Sequence, residues 1–220
     1  MGRNAQRGIS LIEIAIGLAI LGIGIAWAIP SYSVWTQNLQ IRNMAESIVA
    51  GLKIARSEAL ARNSRAEFIL TDQAPSNGIA QDALGTLVTA AGPNWMVRAF
   101  NPPGGATYTY VTGSSGAEGS RNATMKSGND NFAGGLAAVT FDSFGRLARD
   151  ANGAIVNVDA SLPMTKICVR SASLTAANGA RILEINISAG GQVKMCDPSV
   201  AAASDPRRCV TALPRCAQGT

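Results

Sequence analysis

From Ile9 to Ile29 the chain reads ISLIEIAIGLAILGIGIAWAI, and Glu13 is the only charge in those twenty-one residues. A helix rises about 1.5 Å per residue, so the run matches the hydrocarbon thickness of a bilayer. The segment is predicted to be a membrane helix at some stage of the protein's life. Met1–Gly8 (MGRNAQRG) ahead of it is polar, with Arg3 and Arg7 as its charges. Positive charge before an apolar run predicts insertion with the N-terminus in the cytoplasm. An ordinary secretory signal would carry a small-residue cleavage site after the run. Ala26-Trp27-Ala28 has that form, yet the run is longer than a usual signal core and holds an acid near its start.

Pro30 closes the apolar run, but helical periodicity resumes beyond it. Ile41, Ala45, Ile48, Leu52, Ala55 and Ala59 recur at spacings of four and three, one face of an amphipathic helix. Arg42, Glu46, Lys53, Arg56 and Arg62 fall mostly off that stripe. The pattern predicts one long helix over 9–63, kinked at Pro30, with 9–29 as its membrane half. From 64 to 220 the chain turns to short β-type runs broken by Gly, Pro, Asn and Ser. The expected strands are Ala66–Leu70, Trp95–Phe100, Thr107–Val111, Ala138–Phe141, Ile155–Val158, Lys166–Ser171, Arg181–Ser188 and Gln192–Cys196. Ile182, Glu184, Asn186 and Ser188 alternate with Leu183, Ile185 and Ile187, and Ala189-Gly190-Gly191 reads as a hairpin link. Gly113–Gly135 is rich in Gly, Ser and Asn and reads as a mobile surface loop.

Histidine is absent, which removes Ser/His/Asp and Cys/His catalysis and the commonest metal ligand. No catalytic constellation, cofactor motif or metal-ligand spacing stands out. Asp142, Asp150 and Asp159 read as turn residues and solvated faces. The expectation is a protein that is not an enzyme. The four cysteines, Cys168, Cys196, Cys209 and Cys216, lie in the last quarter of the chain, with no C-x-x-C pair. In a domain placed beyond a membrane, an even count favours disulfides over buried thiols. Three pairings are open. One of them closes a short loop with Cys196–Cys209 and leaves Cys168 for Cys216.

Gly8-Ile9-Ser10-Leu11-Ile12-Glu13 resembles the prepilin signal of type IV pilins and pseudopilins. The resemblance implies cutting between Gly8 and Ile9 by a membrane prepilin peptidase, which separates 1–8 as a leader and N-methylates Ile9. Glu13 becomes the fifth mature residue. A carboxylate in a membrane costs about 3 kcal/mol unless paired, so it is read as functional. In the family this acid pairs with the N-terminal amine of a neighbouring subunit and sets the register of the filament. Ile9 departs from the Phe or Met that usually begins the mature chain.

Val139-Thr140-Phe141-Asp142-Ser143-Phe144-Gly145-Arg146 is similar to the F-D-x-x-G-R turn of the GspH/FimT minor pilins. Gly191–Pro198 with Asp205–Cys209 is similar to the ending of FimU-type chains. The resemblance implies an α+β pilin-like fold, a long N-terminal helix packed on an antiparallel β-sheet head. It implies a single-pass protein of the bacterial inner membrane with a periplasmic head, which then enters a pilus or pseudopilus. Its partners would be major and minor pilins, the prepilin peptidase and the inner-membrane assembly platform. The expected work is priming or joining pilus assembly near the tip.

Two alternatives stay open. One is a minor pseudopilin of type II secretion. The other is DNA capture: the net charge is +5, and Lys194, Arg207, Arg208 and Arg215 cluster near the C-terminus. DNA-binding FimT proteins carry G-R-x-R in this region, whereas Gly191-Gln192-Val193-Lys194 replaces both arginines. A third reading, a single-pass enzyme or sensor, finds no reactive constellation in the sequence.

Overall fold

The computed structural model describes residues 10–101, 107–116, 118–128, 137–157 and 161–209, with only the backbone of 26–30 and 176. Two compact units divide the chain, Met1–Thr36 and Gln37–Thr220. Helix α1 spans Leu11–Ala61. The kink expected at Pro30 falls where no side chain is described.

In the second unit all six residues of the sequence stripe, Ile41 to Ala59, are fully buried. The helix stops two residues short of Asn63, and the reason is local. Asn63 takes a left-handed φ of +48°, and the Ser64 N–H donates to the carbonyl of Ala59 at 3.1 Å. That is a Schellman-type end, in which Asn replaces the usual glycine.

Two four-stranded antiparallel sheets follow, where the sequence suggested a single one. The first has the order β3-β2-β1-β5, built from β1 (Ala66–Thr71), β2 (Asn94–Asn101), β3 (Thr107–Ser114) and β5 (Ala138–Phe141). The second has the order β4-β6-β7-β8, built from β4 (Ala123–Gly128), β6 (Lys166–Ser171), β7 (Leu183–Ile187) and β8 (Val193–Cys196). Phe68, Leu70, Val97, Val139 and Phe141 of the first sheet share one core with Ile167, Val169 and Ile185 of the second and with the α1 stripe. Gly51 sits at the closest approach. A Cβ there would stand 2.7 Å from Trp95 Cζ3 and 2.8 Å from Phe68 Cε2.

β1 is buried along its whole length. Its other face, with Ile69, packs with Met96 and Ala138 under Leu84 and Leu87 of the short helix α2 (Leu84–Leu87). A fully buried strand reads as a continuous apolar run and hides which face meets which layer.

Two expectations are corrected. The stretch read as a mobile loop, Gly113–Gly135, contains β4, which pairs with β6 from Ala123↔Ser171 to Gly128↔Lys166. Ala123 and Met125 of β4 enter the core. Ile155–Val158 forms no strand among the described residues. Ile155 makes one isolated bridge to Arg149, across a turn in which the Asp150 carboxylate accepts the N–H groups of Asn152 and Ala154.

Candidate assembly surfaces

Three places bring the sequence-singled residues into geometry. The first is the start of α1. Gly8 and Ile9 lie outside the described residues. Glu13 stands in the first turn, where the Ser10 carbonyl accepts the N–H groups of Glu13 (3.0 Å) and Ile14 (3.3 Å). An acid there faces the positive end of the helix dipole, so the position favours it. Around it Leu11, Ile12, Leu18, Ile20, Leu21, Ile23 and Ile25 are all more than half exposed. Apolar side chains bared on every side of a helix mark a surface meant to be covered. Among the described residues no helix is long and apolar enough to cross a membrane.

The second place is the turn Asp142–Arg146. Asp142 Oδ1 accepts the N–H groups of Phe144 and Arg146, both at 2.9 Å. The Asp142 N–H donates to the Arg146 carbonyl at 2.8 Å, and the Arg146 guanidinium returns to Asp142 Oδ2 at 3.2 Å. Gly145 supplies the left-handed φ of +70° that this tight return needs. Its carbonyl accepts Arg56 Nε of α1 at 2.9 Å. Gly191 (φ +75°) presses on the same carbonyl, and a Cβ at Gly191 would overlap that oxygen. The turn thus joins α1, the first sheet and the β7–β8 hairpin. It also pushes Phe144 outward to 71% exposure, with the Arg146 guanidinium 5.0 Å from its ring centre.

The third place is the C-terminal region. Cys196 and Cys209 form a disulfide, none of the described cysteines is free, and Cys216 lies outside the described residues. In the loop between them the Asp197 N–H donates to the Arg207 carbonyl at 2.7 Å. Arg207 Nη2 lies 2.7 Å from Asp205 Oδ2. That side-chain hydrogen bond, helped by the Arg207 N–H, pulls the Asp205 carboxyl down to about 2. Lys194 and Arg208 are exposed, and Arg215 lies outside the described residues. Of the basic residues expected to cooperate, Arg207 is therefore held by an acid of its own loop.

Two buried charged groups were not singled out from the sequence. Glu184 on β7 lies opposite Cys196 in register, is fully buried, and has Lys166 Nζ at 3.9 Å. Its carboxylate and the two sulfurs lie within 4.8 Å of one another, but sulfurs joined in a disulfide are not thiolate ligands. The second group is the pair Glu67 and Arg98, opposite each other on β1 and β2. Arg98 Nε donates to Glu67 Oε2 at 2.8 Å, and Arg98 Nη1 donates to the carbonyls of Ala80 (3.0 Å) and Asp82 (2.7 Å). The guanidinium also stacks 3.6 Å over the Tyr108 ring. An opposite-charge pair centred in two apolar strands was the available signal.

Comparison with known proteins bears on the first place most directly. Residues 3–29 match the prokaryotic N-terminal methylation motif, a span that takes in Gly8, Ile9 and Glu13. Among solved structures it is similar to the type IV minor pilin FimU of Pseudomonas aeruginosa in two crystal forms. Identity is 16% in both. One match covers 77% of this chain and 97% of that chain with a TM-score of 0.44. The other covers 74% and 97% with a TM-score of 0.39. No curated protein matches.

Proposed function

We propose that this chain is a minor pilin, a structural subunit that joins or primes type IV pilus assembly. The observation that carries the reading is the methylation motif over residues 3–29, which includes Gly8, Ile9 and Glu13. In this reading the prepilin peptidase cuts between Gly8 and Ile9 and methylates the Ile9 amine. The apolar segment first anchors the chain in the inner membrane, with the head in the periplasm. The assembly platform then lifts the chain into a filament beside major and minor pilins, near the tip.

The bared apolar side chains from Leu11 to Ile25 suit either surrounding. In the membrane they meet lipid, and in the filament they meet other anchors, so the transfer between the two costs little. Glu13 is the exception. Its carboxylate costs about 3 kcal/mol in hydrocarbon, and a neighbour's terminal amine relieves that cost only when the two helices stand in register. The acid therefore acts on position within the filament.

Intact mass spectrometry of the protein from its native membrane tests the processing: the expected species lacks residues 1–8 and carries a methyl group on Ile9. An intact N-terminus, or a cut after Ala28, would sink the reading. Counting surface pili on a strain lacking the chain, with and without a complementing copy, tests assembly. Restored piliation is the expected result. Normal piliation with impaired protein export would instead identify a secretion pseudopilus.

DNA capture is the second reading, and the exposure of Lys194 and Arg208 is the observation behind it. A phosphate contact by Lys194 would show as a salt-dependent affinity that Lys194→Ala weakens for every sequence alike. Binding unchanged by that substitution would remove Lys194 from the site.

A further inference from the structure

We propose that Phe144, with Leu60 beside it, is a docking knob for the head of another pilin subunit. The partner surface that fits it is an apolar socket with an acidic rim. The inference rests on the minor-pilin reading and adds a contact to it.

Phe144 is held out, not merely left out. Phe141, three residues earlier in the same segment, is fully buried in the core, while Phe144 is 71% exposed. The carboxylate of Asp142 fixes the Phe144 N–H directly, and Gly145 is tied to α1 through Arg56. A large aromatic side chain on a rigid turn loses little conformational freedom on binding, which is why such residues dominate interface energetics. Its apolar neighbour is Leu60 at the end of α1, half exposed. A Cβ on Gly145 would stand 3.2 Å from Leu60 Cδ1, so turn and helix end form one surface.

Charge selects the partner. Over residues 53–65 the chain carries Lys53, Arg56, Arg62 and Arg65 against Glu58 alone. Arg62 pairs with Glu58 and Arg146 with Asp142, while Arg56, bonded to the Gly145 carbonyl, adds a positive charge at the knob itself. An opposing surface rich in Asp and Glu is attracted, and a basic one is repelled.

The test uses the full-length chain in cells that assemble pili. A photo-crosslinking phenylalanine analogue is placed at position 144, with a control at exposed Asn152, and adducts are identified by peptide mass spectrometry. Phe144→Ala is measured separately for its incorporation into sheared filaments. The expected results are an adduct from 144, absent from 152, to an acidic face of another subunit bearing the methylation motif, and a roughly tenfold fall in incorporation with the alanine variant. Cleavage after Gly8 and the melting temperature should stay as in the parent. Processing and filament entry by the parent, with no such adduct, would overturn the knob and leave the minor-pilin reading standing. So would an adduct to nucleic acid, lipid or a basic face, or undiminished incorporation of the alanine variant. Failure of the parent itself to be processed would overturn the minor-pilin reading.

Discussion

Breaking the Glu67–Arg98 pair should cost far more than removing it. Both side chains are fully buried, and the pair is part of a larger polar set. Arg98 serves two backbone carbonyls near the start of α2, and Thr140 Oγ1 of β5 lies 3.1 Å from Glu67 Oε1. Glu67→Gln leaves a buried guanidinium without its counter-charge, and Arg98→Met takes the guanidinium away from a buried carboxylate. Each single change should cost about 3–5 kcal/mol, the range for orphaning one member of a buried pair. The double variant Glu67→Leu/Arg98→Met has no stranded charge. Its residual cost comes from the carbonyls of Ala80 and Asp82, which lose their donor, at roughly 1–3 kcal/mol. It should therefore be more stable than either single variant. Urea unfolding followed by tryptophan fluorescence reads this directly, since Trp95 reports on the same strand pair. At about 2–4 °C per kcal/mol for a domain of this size, the singles should melt roughly 6–20 °C lower. If the double variant loses the sum of the two singles, or either single loses under about 1 kcal/mol, the pair is not the coupled unit described.

Gly51→Ala should destabilise by about 1–3 kcal/mol in spite of alanine's better helix propensity, because the methyl meets the stacked Trp95 and Phe68 rings. Near-UV circular dichroism of the tryptophan band should change along with the melting temperature. Joint replacement of Cys196 and Cys209 by serine opens a loop of sequence separation 13 and should lower stability by about 2–4 kcal/mol, read in urea without reductant. The Asp205 carboxyl should titrate near 2 by NMR and return toward 3.8 in Arg207→Ala. Its folded value is depressed, so the stability it contributes is present above the unfolded value and is lost as pH falls from about 4 toward 2.

The α1 stripe was legible because periodicity is a local property: Ile41 to Ala59 announce one buried face whatever lies against it. Lys166–Ser171 and Ala138–Phe141 were legible for the same kind of reason, as short apolar runs with clear breaks at their ends. β4 was not. ATMKSG has little apolar content, and its place is set by pairing with β6 forty-odd residues away and by Met125 entering a core that other elements build. The division into two sheets was hidden for a related reason, since strand lengths say nothing of which edges meet. At the surfaces, the motif around Gly8 and Glu13 could be read from its residues alone. The outward set of Phe144 could not, because it follows from Asp142, Gly145 and Arg56 acting together across eighty-nine residues of chain. Glu184 failed in the other direction: strand alternation put it on the solvent side of β7, yet it is fully buried beside Lys166.

The meeting of Gly191 with the carbonyl of Gly145 has a mechanical meaning. In the proposed filament, tension would load the subunit through its helix, and here the helix grips the turn through Arg56 while the β7–β8 hairpin rests against the same peptide unit. The Leu147 N–H, donating to the Ala189 carbonyl at 3.1 Å, adds a second tie between turn and hairpin. Pull on the helix would then reach both sheets through this one turn as well as through the core that α1 shares with them.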